Sequence, residues 1–165
     1  MEPTLFYILA GLAVMTALLT VTRQNPIASA LWLVVCFFIF AALFATLSAH
    51  FIAAIQILLY AGAIMILFIF VIMLLNLKEE ELKERQMQFS GFLGGAITLY
   101  LIILFGLGVL KNGKGVATAI LPEGFGYVSP VGRLLFTKYL IPFELTSVLL
   151  LVAIVGSVVM GKRKL

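Results

Sequence analysis

The chain has 165 residues, 64% of them hydrophobic and only 11% charged, with a formal net charge of +4 and a mean hydropathy of +1.23. Eleven basic and seven acidic side chains are too few to coat a water-soluble domain, so most of the surface must face lipid or another apolar helix. The positive balance does not point to nucleic acid, because the basic residues lie in loops and at the tail, where membrane topology accounts for them.

A membrane-crossing helix needs roughly 20 mostly apolar residues. The opening sequence has an acidic residue, no basic lead-in and no clear cleavage site before Arg23, and reads as a retained first helix rather than a removed signal peptide. That helix is expected from about Thr4 to Val21, ending before Arg23-Gln24-Asn25-Pro26. Pro26 suits the first turn of a second helix, where its missing N–H is no loss. The second span runs to about Leu47, and Ser48-Ala49-His50 connects it to a third, from Phe51 to about Leu77. A charged loop, Lys78 to Arg85, precedes a fourth span from about Ser90 to Leu110. A Gly-rich stretch, Lys111 to Ile141, leads to a fifth span from Pro142 to about Met160, and Lys162-Arg163-Lys164 closes the chain. Inside the long stretch, Ser129-Pro130 has the form of an N-cap followed by proline at the first helical position. Val131, Leu134, Leu135 and Tyr139 then fall near one face, so a short interfacial helix and an irregular loop both fit.

Only helices satisfy an isolated crossing segment's backbone in hydrocarbon. The expectation is an all-α, polytopic membrane protein with five transmembrane helices, forming a single transmembrane domain over residues 1–165. Placing the N-terminus outside puts seven basic residues on the cytoplasmic side and four outside, which favours N-out/C-in. No repeat suggests the internal symmetry of a secondary transporter.

Polar chemistry is sparse. The single cysteine, Cys36, can form neither an intramolecular disulfide nor a metal site, and reads as a small buried hydrophobe. His50 sits at a helix junction, where water or headgroups meet it more readily than a haem. Glu79, Glu80, Glu81 and Glu84 read as a solvated face, and the basic tail as a headgroup anchor. Gln56 and Tyr60 are four apart and share a helical face that Ala63 continues. Both are costly against lipid, so the face should meet other helices, as interhelical glue or as the border of a hydrated proton path. Gly62 makes the same helix easy to deform, and the excess length of the span is absorbed by tilt or by a π-bulge there. Glu144 is the sole carboxylate inside a predicted span. With Pro142 as first helical residue it is the third, placed to cap the helix N-terminus; its rival role is a buried proton relay.

The run from Tyr60-Ala61-Gly62-Ala63 through Met65, Phe68 and Met73 to Asn76 resembles the signature third helix of the J-type membrane subunit of proton-pumping NADH:quinone oxidoreductase, respiratory complex I. Asn25-Pro26 and Pro142-Phe143-Glu144-Leu145 are similar to that family's openings of the second and last helices, and the resemblance covers essentially the whole chain. It implies a subunit with no catalytic centre or cofactor of its own, packed beside A-, H- and K-type subunits in the inner (plasma) membrane of a bacterium. The implied complex carries FMN, iron–sulfur clusters and quinone. The resemblance further implies that the third helix lines a hydrated proton path, with Tyr60 and Gly62 flanking a π-bulge and Met65 and Phe68 as dry gate residues. Gln56 stands where some members have glutamate, which removes a titratable group. Alternatives are the equivalent subunit of a complex using ferredoxin or reduced coenzyme F420, a stand-alone transporter, and a structural anchor or assembly factor.

Overall fold

A computed structural model describes residues 3–75, 88–112 and 124–162, all of the regular structure in it helical. Six helices follow in order: α1 (Pro3–Thr22), α2 (Pro26–Thr46), α3 (His50–Leu75), α4 (Gln88–Asn112), α5 (Val128–Phe136) and α6 (Leu140–Gly161). Among the described residues, α1 from Thr4, α2, α3 and α6 are long and apolar enough to cross a membrane. The expected fourth span is the helix α4, whose described apolar stretch is the shorter Gly94–Gly108. The charged loop Lys78 to Arg85, with its glutamates, and the tail residues Arg163 and Lys164 lie outside the described residues.

α1 and α2 form a hairpin whose seam is lined by small side chains. Ala13 and Thr16 of α1 and Ala30, Cys36 and Ala41 of α2 are buried, and small residues let helix backbones approach closely where lipid supplies no hydrophobic drive. The hydroxyls spend their hydrogen bonds on backbone carbonyls, as an apolar medium requires. Thr16 Oγ1 donates to Leu12 O at 2.9 Å, Thr20 Oγ1 to Thr16 O at 2.9 Å, and Ser29 Oγ crosses the seam to Thr20 O. Cys36 is buried as expected, with its Sγ 3.8 Å from Ala13 O.

Both ends of α2 are closed by recognisable chemistry. Asn25 is the N-cap, its Oδ1 accepting from Ile27 N at 3.0 Å and Ala28 N at 3.2 Å, with Pro26 at the first helical position. At the far end Ser48 adopts a left-handed φ of 62°. Ser48 N then donates to Ala45 O at 3.1 Å and Ala49 N to Phe44 O at 2.9 Å, the paired bonds of a Schellman turn. That turn folds α3 back against α2.

α3 changes form along its length. His50–Ile55 and Met65–Leu75 are α-helical, whereas Gln56–Ile64 is a nine-residue π-helix. Its exit bond runs from Met65 N–H to the carbonyl of Tyr60, five residues back. Burial tracks the wider turn. Ala53, Gln56, Ala61 and Met65 are the buried residues, and the step of five from Gln56 to Ala61 is what an α-helix cannot give. The expected face of Gln56, Tyr60 and Ala63 is therefore corrected. The π turn places Ala61 beneath Gln56, leaving Tyr60 44% exposed and Ala63 exposed.

Two expected helix starts also move. α5 begins at Val128 behind Tyr127, so Ser129 lies inside the helix and caps nothing. The entry is set instead by a turn, with Tyr127 N donating to Gly124 O at 3.2 Å. α6 begins at Leu140, which makes Glu144 its fifth residue rather than its third. An edge-on contact between the Phe136 and Phe143 rings, centroids 4.9 Å apart, holds α5 to α6. Among the described residues α2 is the hub of the hairpin and α3, while neither α4 nor α6 packs extensively on that unit.

Asn25→Ala is expected to cost about 1 kcal/mol of stability, with Asn25→Asp near neutral; denaturant titration of the purified chain in mixed micelles reads the difference. Ala61→Leu should overpack the α2–α3 seam at a cost of about 1–3 kcal/mol, whereas Ala63→Leu should stay within about 0.5 kcal/mol. The same titration checks the pair, and the reverse order is the result expected of an uninterrupted α-helix.

Candidate functional site

The sequence-predicted residues Gln56, Tyr60, Gly62 and Met65 fall in or directly after the π-helical part of α3. Gly62 is the thirteenth of the 26 residues from His50 to Leu75. At ~1.5 Å per residue α3 is about 39 Å long or slightly less, against ~30 Å for the hydrocarbon layer. The deformed segment therefore straddles the middle of the crossing.

Gln56 is 9% exposed. Among the described residues its amide has no hydrogen-bond partner, yet no buried side-chain nitrogen or oxygen is stranded. The Gln56 amide atoms are therefore not fully enclosed and keep some access to the surroundings. A primary amide both donates and accepts, so water or a polar group of a neighbouring protein meets its needs there at little cost, while lipid does not.

Tyr60 leans toward α2, its ring 5.5 Å from that of Phe37 and tilted by 59°. Met65 is 2% exposed and Phe68 is 47% exposed. The structure thus brings Gln56 and Met65 onto the inner face and sets Tyr60 at its edge and Phe68 outside it. A Cβ on Gly62 would sit 3.3 Å from the carbonyl oxygen of Ile57, the carbonyl that lies five residues back in the π turn, so a side chain is accommodated there only with a small shift.

Glu144 stands apart from this group. It is exposed on α6, one position beyond the four free N–H groups of a helix start, which removes the physical basis for the expected capping role. The nearby hydroxyls are already used, Thr146 Oγ1 donating to Phe143 O and Ser147 Oγ to Glu144 O, both at 2.7 Å. His50 is exposed, with its ring 5.3 Å from that of Tyr127. Among the described residues no three His, Cys, Asp or Glu side chains converge on one point.

Sequence reasoning missed three residues that shape the site. Ala61 is hidden by the assumption of an α-helical period. Phe37, one of fourteen phenylalanines, carries no distinguishing signal. Gly126, whose carbonyl accepts from Phe51 N at the start of α3, was legible only as the second glycine of Gly124-Phe125-Gly126, a pattern of turn glycines. Taken together the site is a deformable helix with one polar side chain, an aromatic flank and a methionine plug. Among the described residues it offers an amide that can donate and accept and a phenol at its edge, with no nucleophile or acid–base pair beside them.

Residues 16–160 match the family model described as NADH-ubiquinone/plastoquinone oxidoreductase chain 6. The chain is 36% identical to NADH-quinone oxidoreductase subunit J of Pseudomonas aeruginosa, over 96% of this chain and 95% of that one. It is 34% identical to the subunit of the same name from Escherichia coli K12, over 96% and 86% of the two chains. It is also 33% identical to the chloroplastic NAD(P)H-quinone oxidoreductase subunit 6 of Physcomitrium patens, over 99% and 86%. With a match this long and relatives aligned nearly end to end, the chain belongs to the NADH-ubiquinone/plastoquinone oxidoreductase chain 6 (subunit J) family.

Proposed function

We propose that this chain is a non-redox subunit of the membrane arm of a proton-translocating NADH:quinone oxidoreductase, where it couples quinone reduction to proton pumping through a hydrated path gated at α3. The observation that carries this reading is the π-helical segment Gln56–Ile64 in mid-crossing, with the Gln56 amide unpaired beside it. FMN, iron–sulfur clusters and quinone belong to partner subunits in this reading. The neighbours are the A-, H- and K-type subunits, with lipid on the remaining surface, in the plasma membrane of a bacterium. In this reading residues 1–165 form one transmembrane domain of five crossings, α4 the fourth and α6 the fifth, with the N-terminus outside and the C-terminus inside.

A π-helix and an α-helix satisfy nearly the same backbone groups with different partners. Exchange between them is therefore inexpensive even in lipid, where a free N–H costs several kcal/mol. Tightening the segment into α-helix removes the five-residue step, so the buried stripe below Gln56 would pass through Tyr60, Ala63 or Ile64, and Phe68 in place of Ala61 and Met65. A phenol hydroxyl then enters the seam one turn from the Gln56 amide. A water file cannot cross a purely apolar ring without dewetting, and this exchange supplies the polar surface that wets it. Gln56 has no titratable group, so in this reading the moving proton is carried by water and by acids of neighbouring subunits. Glu144 lies on a different helix, near its start, and serves in this reading as a contact to a neighbouring subunit's donor.

A second reading keeps the same gate and changes the electron donor. The printed name of the chloroplastic relative, an NAD(P)H-quinone oxidoreductase, extends the donor to NADPH, and α3 has no part in choosing it. Cofractionation with an NADH-binding flavin subunit decides between the two.

Gly62→Val places a branched side chain against the Ile57 carbonyl and biases the segment. NADH:quinone turnover should persist in an assembled complex while protons moved per NADH fall several-fold, read by a pH-sensitive dye in sealed vesicles alongside NADH absorbance. Unchanged pumping in an intact complex would overturn the gate.

A further inference from the structure

The start of α3 lacks a side-chain cap, because its N-cap residue is Ala49. The acceptor for its first turn comes from a distant part of the chain: Phe51 N donates to Gly126 O at 2.8 Å. Gly126 has a φ of +78°, and a Cβ on it would lie 1.9 Å from Ser48 O and 2.9 Å from Ala49 Cα. The backbone of residues 124–127 therefore lies directly on the Schellman turn between α2 and α3, with no room for any side chain between them. The Tyr127 ring beside His50 closes the joint. Gly124 provides the contrast. Its φ is +79°, but a Cβ there would come no nearer than 4.0 Å to Pro130 Cγ. One glycine is required by backbone conformation alone; the other is required by conformation and by contact.

We infer that Gly126 is a positioning residue for the α3 gate: it fixes the leading end of α3, so that a change of form in Gln56–Ile64 turns Met65–Leu75 and leaves His50–Ile55 still. The inference rests on the gate reading and adds which half moves and what holds the other. Each residue of excess taken out of a helix rotates the two flanking segments relative to one another by about 100°. That rotation appears at whichever end is free. The leading end is tied by the Ser48 turn, by the Gly126 carbonyl and by the His50–Tyr127 ring contact. Among the described residues, the main packing of Met65–Leu75 beyond its own helix is on α2, and no backbone contact from a distant part of the chain ties it.

The test uses the whole complex in sealed vesicles, with Cys36→Ser as background. His50→Cys with Tyr127→Cys is oxidised to tether the leading end, and Phe37→Cys with Tyr60→Cys to tether the deformable segment. The expected result is that oxidising the first pair leaves pumping per NADH as it is in the reduced state, while the second pair, already lowered by loss of the Tyr60 phenol, falls further on oxidation and recovers on reduction. A first tether that stops pumping until reduced overturns the anchor, and if that disulfide does not form the alanine variants below decide. Both tethers forming without effect overturns the gate itself. Gly126→Ala supplies the independent arm. Protons per NADH should fall by at least about threefold while NADH:quinone turnover holds, with Gly124→Ala, which bears the same backbone strain, unchanged. Equal behaviour of the two alanine variants would mean that the contact at residue 126 positions nothing; if Gly126→Ala does not assemble, the tethers decide.

Discussion

The constraint on which the whole structure depends is that a backbone N–H or C=O in hydrocarbon must find its partner within the protein. It accounts for the helical crossings, for the threonine and serine hydroxyls turned back on carbonyls, and for the Asn25 cap. It also limits how a crossing can change shape. A helix that broke in mid-membrane would strand several donors. One that passes between π and α forms exchanges one carbonyl for its neighbour and leaves at most one acceptor without its regular partner. A segment that must move in lipid is therefore best built as the one seen in α3.

The packing around α3 divides labour along the chain. The α1–α2 hairpin is a close-fitted pair with small residues at its seam. Against it the two ends of α3 differ: one is joined to the rest of the chain by a backbone contact too tight for a Cβ, the other only lies alongside α2. Between them sits the segment whose period departs from the rest. A tied end, a π-helical middle and an end held by one neighbour thus succeed one another along a single helix.

Hydropathy alone located the helices to within two or three residues, because an apolar run of this length has few alternatives in a membrane. The special character of α3 was only half legible. Gly62 and the excess length were visible, but tilt absorbs length equally well, and only the burial of Ala61 in place of Tyr60 distinguishes the two. In a stretch where nearly every residue is apolar, a shift of one position leaves no mark on the pattern. The starts of α5 and α6 were misplaced because proline was taken as the first helical residue at both. At Pro130 the real determinant is tertiary: the 124–127 turn docks on residues 48–51 and aims the chain. The displaced start of α6 then removed the capping role from Glu144. Contacts of that kind join positions almost eighty residues apart, and no local pattern announces them.

The isolation of α6 has a consequence for how the protein is made. The hairpin and α3 can settle against one another as soon as they leave the ribosome, since their mutual surface is complete. Among the described residues only α5 lies against the last helix, which leaves its carboxylate and most of its apolar flank to be covered by something else. A newly synthesised copy is thus half finished until neighbours arrive, and its closing segment is the natural place for membrane quality-control proteases to distinguish orphan copies from assembled ones.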